Sequence, residues 1–368
     1  MTSVTWPQAL AWRMRQQLLD PVGGLPVEEV VRRLQAVPAY PAPSAELALR
    51  LRQRRSRPGE VARALAEGRL VQVYAFRGAT HLLTPQDGGT VLALRAAGRM
   101  WERPSWQEFY GLTPEDWPDF RSAVREALAD GPLTRAELAA AITRTPRFAH
   151  LGPAVTGGSD TLLKPLTWQG VMSFGPVRDG EATFQRLDAN PRWAGVPDLD
   201  VAGPRAVEAY LRAYGPAAED RVLYWLGEGL GAGRRRIRTW LAGLAPRLAE
   251  VDIDGTAALV PTDELEGLMA TPAATTVRLL PGHDQWVLGP GTADPHVVPP
   301  ARRKPVTRGA NLVTAGGVVS GTWAVTGEEV DVSWFPEAGP TPREELDEQV
   351  GRLSEVLGRS LRLAVRDG

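Results

Sequence analysis

Arginine side chains cluster in the first part of the chain at a spacing suited to binding phosphate groups. Five of them fall within eight residues, at Arg50, Arg52, Arg54, Arg55 and Arg57. If a helix extends that far, Arg50, Arg54 and Arg57 share one of its faces. Roughly six to ten such phosphate contacts give strong, salt-sensitive binding to DNA. We interpret this cluster as a candidate DNA-binding surface; the alternative is a basic loop without a ligand.

A second basic segment opens a predicted helix further along the chain. It carries Arg234, Arg235, Arg236 and Arg238 just before Trp240. Such a segment is typical of a recognition helix or a phosphate clamp, and a solvated helix face is the alternative. The alternating glycines of 227–233 match neither phosphate-binding glycine pattern, so we interpret them as a flexible turn.

Other chemistries lack the residues that they require. The chain has no cysteine, which excludes disulfides, cysteine nucleophiles and thiolate metal sites. Its four histidines stand at no helical ligand spacing, so we expect no metal and no cofactor. No apolar run approaches the roughly 18 residues of a membrane span, and the N-terminus lacks a signal-peptide core. We expect a cytoplasmic monomer that binds no membrane.

The overall charge conceals an asymmetry along the chain. The 42 Lys and Arg nearly balance the 43 Asp and Glu, for a net charge of -1. Residues 1–110 hold 15 Arg against 9 Asp and Glu, a net charge of +6, so the remainder holds -7. Because the local field governs nucleic-acid binding, near-neutrality does not argue against DNA. Only Lys164 and Lys304 are lysines, which fits a GC-rich genome.

The elements expected to position these residues repeat in one order, helices followed by a two-stranded ribbon. The first round has helices at 7–20, 27–34 and 45–51 and strands within 71–83 that turn at Arg77-Gly78. The second has a helix ending near Leu128, a capping box of Thr134 and Glu137, and strands at 170–174 and 181–187. The third has helices from 207, 222 and 234 and a hairpin at 251–260 about Asp254-Gly255.

From residue 276 the pattern changes to short alternating runs. Strands are predicted at 277–280, 285–288, 310–313, 318–325 and 330–334, and an amphipathic helix at 342–362. We therefore expect an α+β fold of three tandem winged-helix units at 1–112, 113–200 and 201–272. A small antiparallel β-barrel with a C-terminal helix would follow at 273–368.

Several segments, in order along almost the whole chain, resemble the AlkZ/YcaQ winged-helix DNA glycosylases. Arg77-Gly-Ala-Thr-His81 resembles the family's Arg-Gly-Thr-x-His segment, and the other matches are 45–50, 214–217, 279–284 and 321–323. The resemblance implies three winged helices and a β-barrel forming a clamp around DNA, with Arg77 and His81 among the DNA-binding residues. It also implies hydrolysis of the N-glycosidic bond of bulky N7-alkylated purines, including those in interstrand crosslinks.

The sequence departs from this family where the resemblance implies the catalytic pair. Family members carry Gln-x-Gln or Gln-x-Asp there, whose oxygens can accept a hydrogen bond from the attacking water. Here the tripeptide is Pro38-Ala39-Tyr40. Gln35 and Glu46 are the nearest acceptors outside the motif positions. Tyr40 can position a water, stack on a base or fill the space of the missing glutamines, and we expect the last.

Three functions remain open at this point. The first is a glycosylase with altered catalytic residues, which would be Tyr40, Gln35 or Glu46. The second is a DNA-binding protein that has the glycosylase fold but no catalytic activity. The third is a protein of the same fold that binds a protein or a small molecule instead of DNA. We favour binding to double-stranded DNA, intact or damaged, linked to recognition or repair of alkylated or crosslinked sites.

Overall fold

The computed structural model describes residues 2–158 and 160–367. The helices in this part of the chain are α1 (Trp6–Gln16), α2 (Val27–Leu34), α3 (Ala42–Arg50), α4 (Glu60–Ala66), α5 (Gly88–Ala96), α6 (Pro104–Tyr110), α7 (Trp117–Ala127), α8 (Arg135–Thr143), α9 (Gly152–Thr156), α10 (Lys164–Trp168), α11 (Leu199–Tyr214), α12 (Glu219–Val222), α13 (Arg234–Leu244), α14 (Leu265–Met269), α15 (Gln285–Leu288), α16 (Arg303–Thr307) and α17 (Arg343–Leu357). The strands are β1 (Thr2–Val4), β2 (Val37–Pro38), β3 (Val71–Tyr74), β4 (Thr80–Leu83), β5 (Leu133–Thr134), β6 (Met172–Phe174), β7 (Thr183–Arg186), β8 (Leu248–Ile253), β9 (Thr256–Pro261), β10 (Val277–Leu280), β11 (Asn311–Ala315), β12 (Val318–Thr326), β13 (Glu329–Trp334) and β14 (Arg362–Asp367). The mixed α+β class is as predicted.

Two compact units divide these elements, and each draws on separate stretches of the chain. Unit 1 takes the chain up to Val61, Val207–Trp225 and the chain from Trp240 onward. Unit 2 takes Ala62–Ala206 and Leu226–Thr239. The division into winged helices at 1–112, 113–200 and 201–272, with a last segment at 273–368, stays a prediction.

A small sheet of unit 1 holds the start of the described chain. β8 and β9 form the predicted hairpin, with positive φ angles of 47° at Asp254 and 88° at Gly255 in the turn. β1 pairs in parallel with β8. Trp12 of α1 is buried in the core beside these strands. The hairpin had a local turn signal, whereas the pairing of β1 joins distant parts of the sequence and had none.

The larger sheet of unit 1 is open, so the predicted β-barrel is wrong. Its order is β10-β11-β12-β13-β14, antiparallel except for the parallel pair β13 and β14. A parallel pair needs a crossover, and α17 supplies it between these two strands. α17 buries Leu346, Val350 and Leu353 in the core of this sheet. The helix therefore covers apolar surface that closure into a barrel would otherwise bury.

The predicted strand at 285–288 is also wrong, because these residues form the short helix α15. The Asp284 carboxylate accepts a hydrogen bond of 2.8 Å from the backbone nitrogen of Trp286 and so caps the helix. A four-residue apolar run fits a strand or a buried helix equally well. The capping residue before it was the signal that distinguishes them.

Unit 2 contains the other two predicted ribbons. The hairpins β3–β4 and β6–β7 share one sheet, in which Gln72 pairs with Phe174, and β5 pairs with β7. The predicted capping box at α8 is confirmed. The backbone nitrogen of Glu137 donates to Thr134 Oγ1 at 3.3 Å, and that of Thr134 donates to Glu137 Oε2 at 2.7 Å.

A glycine of unit 1 tests how tightly α15 packs. A β-carbon at Gly289 would overlap the ring of Tyr214, which is fully buried. We expect Gly289→Ala to lower the free energy of unfolding by about 1–3 kcal/mol, measured by urea denaturation. Gly243→Ala is the control, since a β-carbon there has no neighbour within 4 Å. Equal results for the two variants would contradict this account of the packing.

Candidate functional site

The tripeptide Pro38-Ala39-Tyr40 lies in unit 1 between α2 and α3. Ala39 is buried, while the side chain of Tyr40 extends into solvent and is 81% exposed. Within residues 2–158 and 160–367, the Tyr40 hydroxyl makes no hydrogen bond. Tyr40 therefore fills no space left by missing glutamines, and that expectation is wrong. Its exposure leaves it free to stack on a base or to hold a water.

A cavity of about 10 Å³ lies beside the tripeptide. Its walls come from the end of α2, the tripeptide, α3 and the segment that leads into α15, and include Pro38, Tyr40, Ala45, Ala48, His283, Asp284 and Gln285. A space of this size holds about one water molecule. Sites for drug-sized ligands need roughly 300 Å³ or more, so the cavity as it stands does not accommodate a purine.

Arg52 and Asp284 form a fully buried ion pair in the wall of this cavity. Arg52 Nη1 and Nη2 donate to the two carboxylate oxygens at 2.8 and 2.6 Å. Nη1 also donates to the carbonyl of Ala48, and Nε to that of Gln17. Such saturation offsets the desolvation of both charges. The DNA contact of Arg52 stays a prediction that this geometry does not favour, because its donors are used inside the protein.

Gln285 lines the same cavity and has a side-chain oxygen without a hydrogen-bond partner among the described residues. Its side chain is 1% exposed, and its Nε2 donates to the carbonyl of Ala36. Its Oε1 has no hydrogen-bond partner among the described residues. A carboxamide oxygen can accept a hydrogen bond from a water. Gln285 was not among the predicted site residues, and its only signal in the sequence was its position directly after the matched segment 279–284.

The chain is similar to known proteins over nearly its whole length. Residues 31–356 match the family model of the AlkZ-like DNA glycosylases. The chain is 36% identical over 369 residues to a Streptomyces sahachiroi protein described as an interstrand DNA cross-link repair glycosylase, covering 98% of this chain and 99% of that one. Its structure matches that of the Streptomyces sahachiroi DNA glycosylase AlkZ with a TM-score of 0.93 and 34% identity, covering 99% of this chain and 100% of that one.

The chain belongs to the AlkZ-like DNA glycosylase family. Another of the segments that resemble this family, 214–217, has a structural function in unit 1. The Tyr214 hydroxyl donates a hydrogen bond of 2.8 Å to the carbonyl of Leu34 at the end of α2. Burial raises the pKa of Tyr214, so the hydroxyl keeps its proton and its role as donor. This bond fixes the chain just before the tripeptide.

Neither alternative acceptor stands free beside the tripeptide. The Glu46 carboxylate accepts hydrogen bonds from the backbone nitrogens of Glu60 and Val61 at 3.2 and 3.1 Å, where α4 begins. Gln35 ends α2 with a positive φ of 66°, and its Nε2 is buried without a partner among the described residues. Gln35 does not line the cavity. A catalytic role for either residue stays a prediction that this geometry does not favour.

The arginine cluster divides into buried and exposed members. Arg50 is 7% exposed, and its Nε donates to Ser56 Oγ at 3.0 Å. Arg54, Arg55 and Arg57 are exposed and form no ion pair within the described part of the chain. The Nε of Arg54 donates to the carbonyl of Val22. The DNA contact of Arg50 stays a prediction that its burial does not favour, whereas Arg54, Arg55 and Arg57 are exposed.

The predicted binding residues of unit 2 differ in the same way. Arg234, Arg235, Arg236 and Arg238 open α13 on its exposed side, and Arg77 is exposed. Arg234 lies 3.8 Å from Glu228. His81 is 4% exposed, with Nδ1 3.0 Å from the carbonyl of Ala79. Burial lowers the pKa of His81 to about 4, so it is neutral at pH 7. The DNA contact of His81 stays a prediction that its burial does not favour.

The described residues show neither a cluster of metal ligands nor a membrane-spanning helix. No group of three or more His, Asp or Glu side chains there is arranged to hold a metal ion. No helix in the same residues is long and apolar enough to cross a membrane.

The titration of His81 gives a test of its burial. The folded pKa of about 4 lies below the reference value of 6.5, so the unfolded chain binds more protons between these values. The free energy of unfolding should therefore fall as the pH decreases through this window. From pH 7 to pH 5 we expect His81 to contribute a loss of about 2 kcal/mol. Urea denaturation at both values should show the loss in the native sequence and a smaller one in His81→Asn; identical pH dependence would contradict the burial of a neutral imidazole.

Proposed function

We propose that this protein is a cytoplasmic monomer that binds double-stranded DNA and recognises alkylated or crosslinked sites in it. The observation that carries the proposal is a set of exposed arginines without ion pairs in the described chain, Arg54, Arg55 and Arg57, on the scaffold of a DNA glycosylase family. Unpaired surface guanidinium groups bind backbone phosphates and release counterions. The class of lesion is taken from the Streptomyces sahachiroi relative, which is described as an interstrand cross-link repair glycosylase.

Loss of catalysis fits the residues at the motif positions. Pro38 has no side-chain acceptor, and the hydroxyl of an exposed neutral tyrosine is a weak base with a reference pKa near 10. Both carboxylate oxygens of Glu46 are occupied at the start of α4. Binding to DNA needs neither a catalytic acceptor at Pro38 nor a free carboxylate at Glu46, because phosphate contacts and base stacking supply it.

The order of elements supports three winged helices as the DNA-binding modules. Helices α2 and α3 precede the hairpin β3–β4, helices α7 and α8 precede β6–β7, and α11 and α13 precede β8–β9. In such modules a helix enters the major groove and contacts base edges and phosphates. We propose that α13 is one such DNA-contacting helix, because its first residues are basic and exposed. These residues are Arg234, Arg235, Arg236 and Arg238.

Fluorescence anisotropy with a labelled duplex tests the proposal. The logarithm of the association constant should fall linearly with the logarithm of salt concentration, and an N7-alkylguanine in the duplex should tighten binding. The double variant Arg54→Ala/Arg55→Ala should flatten the slope by about 2, because two phosphate contacts are lost.

The control is Arg308→Ala/Arg359→Ala, which removes the same charge from exposed positions of unit 1. It should leave the slope unchanged. Binding that is absent or independent of salt would reject the proposed function. Equal slopes for the two double variants would reject the assignment of the arginine cluster.

An active glycosylase is the second candidate, and the free oxygen of Gln285 favours it. Gln285 Oε1 has no partner among the described residues, and Gln285 is one of the residues that line the one-water cavity beside Tyr40. An N7-alkylated purine is cationic, so its departure from C1′ takes the electron pair of the N-glycosidic bond and neutralises the ring. The water oxygen bonds to C1′, and its proton passes to solvent. The protein's task is then mainly to position that water.

Single-turnover excision from an alkylated duplex tests this candidate. Gln285→Met should lower the excision rate by about 100-fold with little change in DNA affinity, because it removes the acceptor for the water. It also removes the hydrogen bond from Nε2 to the carbonyl of Ala36, so the control must lose a bond of the same kind. Gln53→Met is the control, since Gln53 Nε2 also donates to a carbonyl, that of Leu25, and its Oε1 also lacks a partner among the described residues, but it does not line the cavity. Melting temperatures should verify that both variants fold. No base release by the native sequence across methylated, bulky and crosslinked substrates would exclude this candidate.

A further inference from the structure

Two cationic side chains of unit 2 converge on one glycine. A β-carbon at Gly78 would lie 3.4 Å from Lys164 Nζ and 3.9 Å from Arg95 Nη2. Gly78 has a φ of 73° and belongs to the segment Arg77-Gly-Ala-Thr-His81. Arg95 comes from the last turn of α5, and Lys164 begins α10. The fold therefore brings together charges that lie far apart in the sequence.

These two cations are held by aromatic rings rather than by carboxylates. The Arg95 guanidinium lies 4.0 Å from the centroid of the Trp168 ring, and Lys164 Nζ lies 5.3 Å from that of Tyr74. Neither cation forms an ion pair within residues 2–158 and 160–367. The nearby Asp160 is paired with Arg135 instead.

The positive charge of Arg95 is less well compensated than that of Lys164. Its Nε is buried and has no hydrogen-bond partner in the described chain. Burial lowers the pKa of Arg95, and no acidic group opposes that effect. On its other side, a β-carbon at Gly231 would lie 3.4 Å from Arg95 Nη1, and Gly231 itself is exposed. Because Gly231 has no side chain, none covers the guanidinium on this exposed side, whereas Gly78 is itself buried.

We propose that Arg95 and Lys164 form an anion site that binds a phosphate group of the DNA backbone. A phosphate would supply the negative charge that no carboxylate of the protein provides at this site. The guanidinium of Arg95 can donate two parallel hydrogen bonds to phosphate oxygens, and the ammonium of Lys164 adds a compact positive charge. The proposal rests on the proposed function, because the source of the phosphate is duplex DNA. Inorganic phosphate has the same chemistry and is the alternative source.

Two measurements on the full-length protein test the site. Lys164→Met and Arg95→Met should each weaken duplex binding several-fold and flatten its salt slope by about 1, with damaged and intact DNA affected alike. The matched control is Lys304→Met, the same change at the other lysine of the chain, which is exposed in unit 1. It should leave the slope unchanged. Lys164→Arg keeps the charge and should bind nearly as the native sequence does.

The second measurement is the melting temperature in inorganic phosphate and in chloride at equal ionic strength. Phosphate stabilisation that Lys164→Met abolishes, together with an unchanged DNA slope, would overturn the DNA assignment and identify a site for free phosphate. No effect in either measurement would overturn the anion site itself. If the native sequence binds no DNA, the proposed function fails, and the phosphate arm still decides whether these two cations bind an anion.

Discussion

The buried pair of Arg52 and Asp284 is the interaction on which the candidate site depends. It joins the end of α1, through the carbonyl of Gln17, to α3 and to the start of α15. Asp284 also caps α15, and this fixes the position of Gln285, the next residue. A buried bidentate pair is favourable only while its geometry and its further hydrogen bonds are kept. The cavity beside Tyr40 therefore has a wall that tolerates little displacement.

The helices and the ion pair that form the walls of the site are therefore distinct from the side chains at positions 38 and 40 that would contact a ligand. Pro38 and Tyr40 stand where the resemblance implies glutamines, yet the surrounding elements are retained across a match with a TM-score of 0.93. Because Tyr40 is 81% exposed, its substitution changes the surface presented to a ligand and does not repack the interior. An exposed aromatic ring can stack on a base, and stacking does not require a particular base. Replacing the pair can thus remove hydrolysis while recognition is kept.

Local signals predicted much of the fold, and long-range contacts account for what they missed. The capping box of Thr134 and Glu137 and the hairpin at Asp254-Gly255 follow from a few adjacent residues. The open sheet could not be predicted, because it depends on β14 pairing in parallel with β13 across α17. The site follows the same rule. Nothing adjacent to Arg52 distinguishes it from Arg54, since its partner is far along the chain, and the burial of His81 depends on the packing around it.

The near-zero net charge also has a structural explanation that bears on DNA binding. Many of the acidic residues that follow residue 110 are paired with arginines that also lie after residue 110. Arg147 lies against Asp116 and Asp119, Arg302 donates to Glu337, and Arg212 contacts Glu208, Asp263 and Glu264. Such pairs neutralise each other locally, and salt screens what remains beyond roughly 8–10 Å. Arginines without a carboxylate, such as Arg55 and Arg95, therefore act as positive centres whatever the sum over the chain.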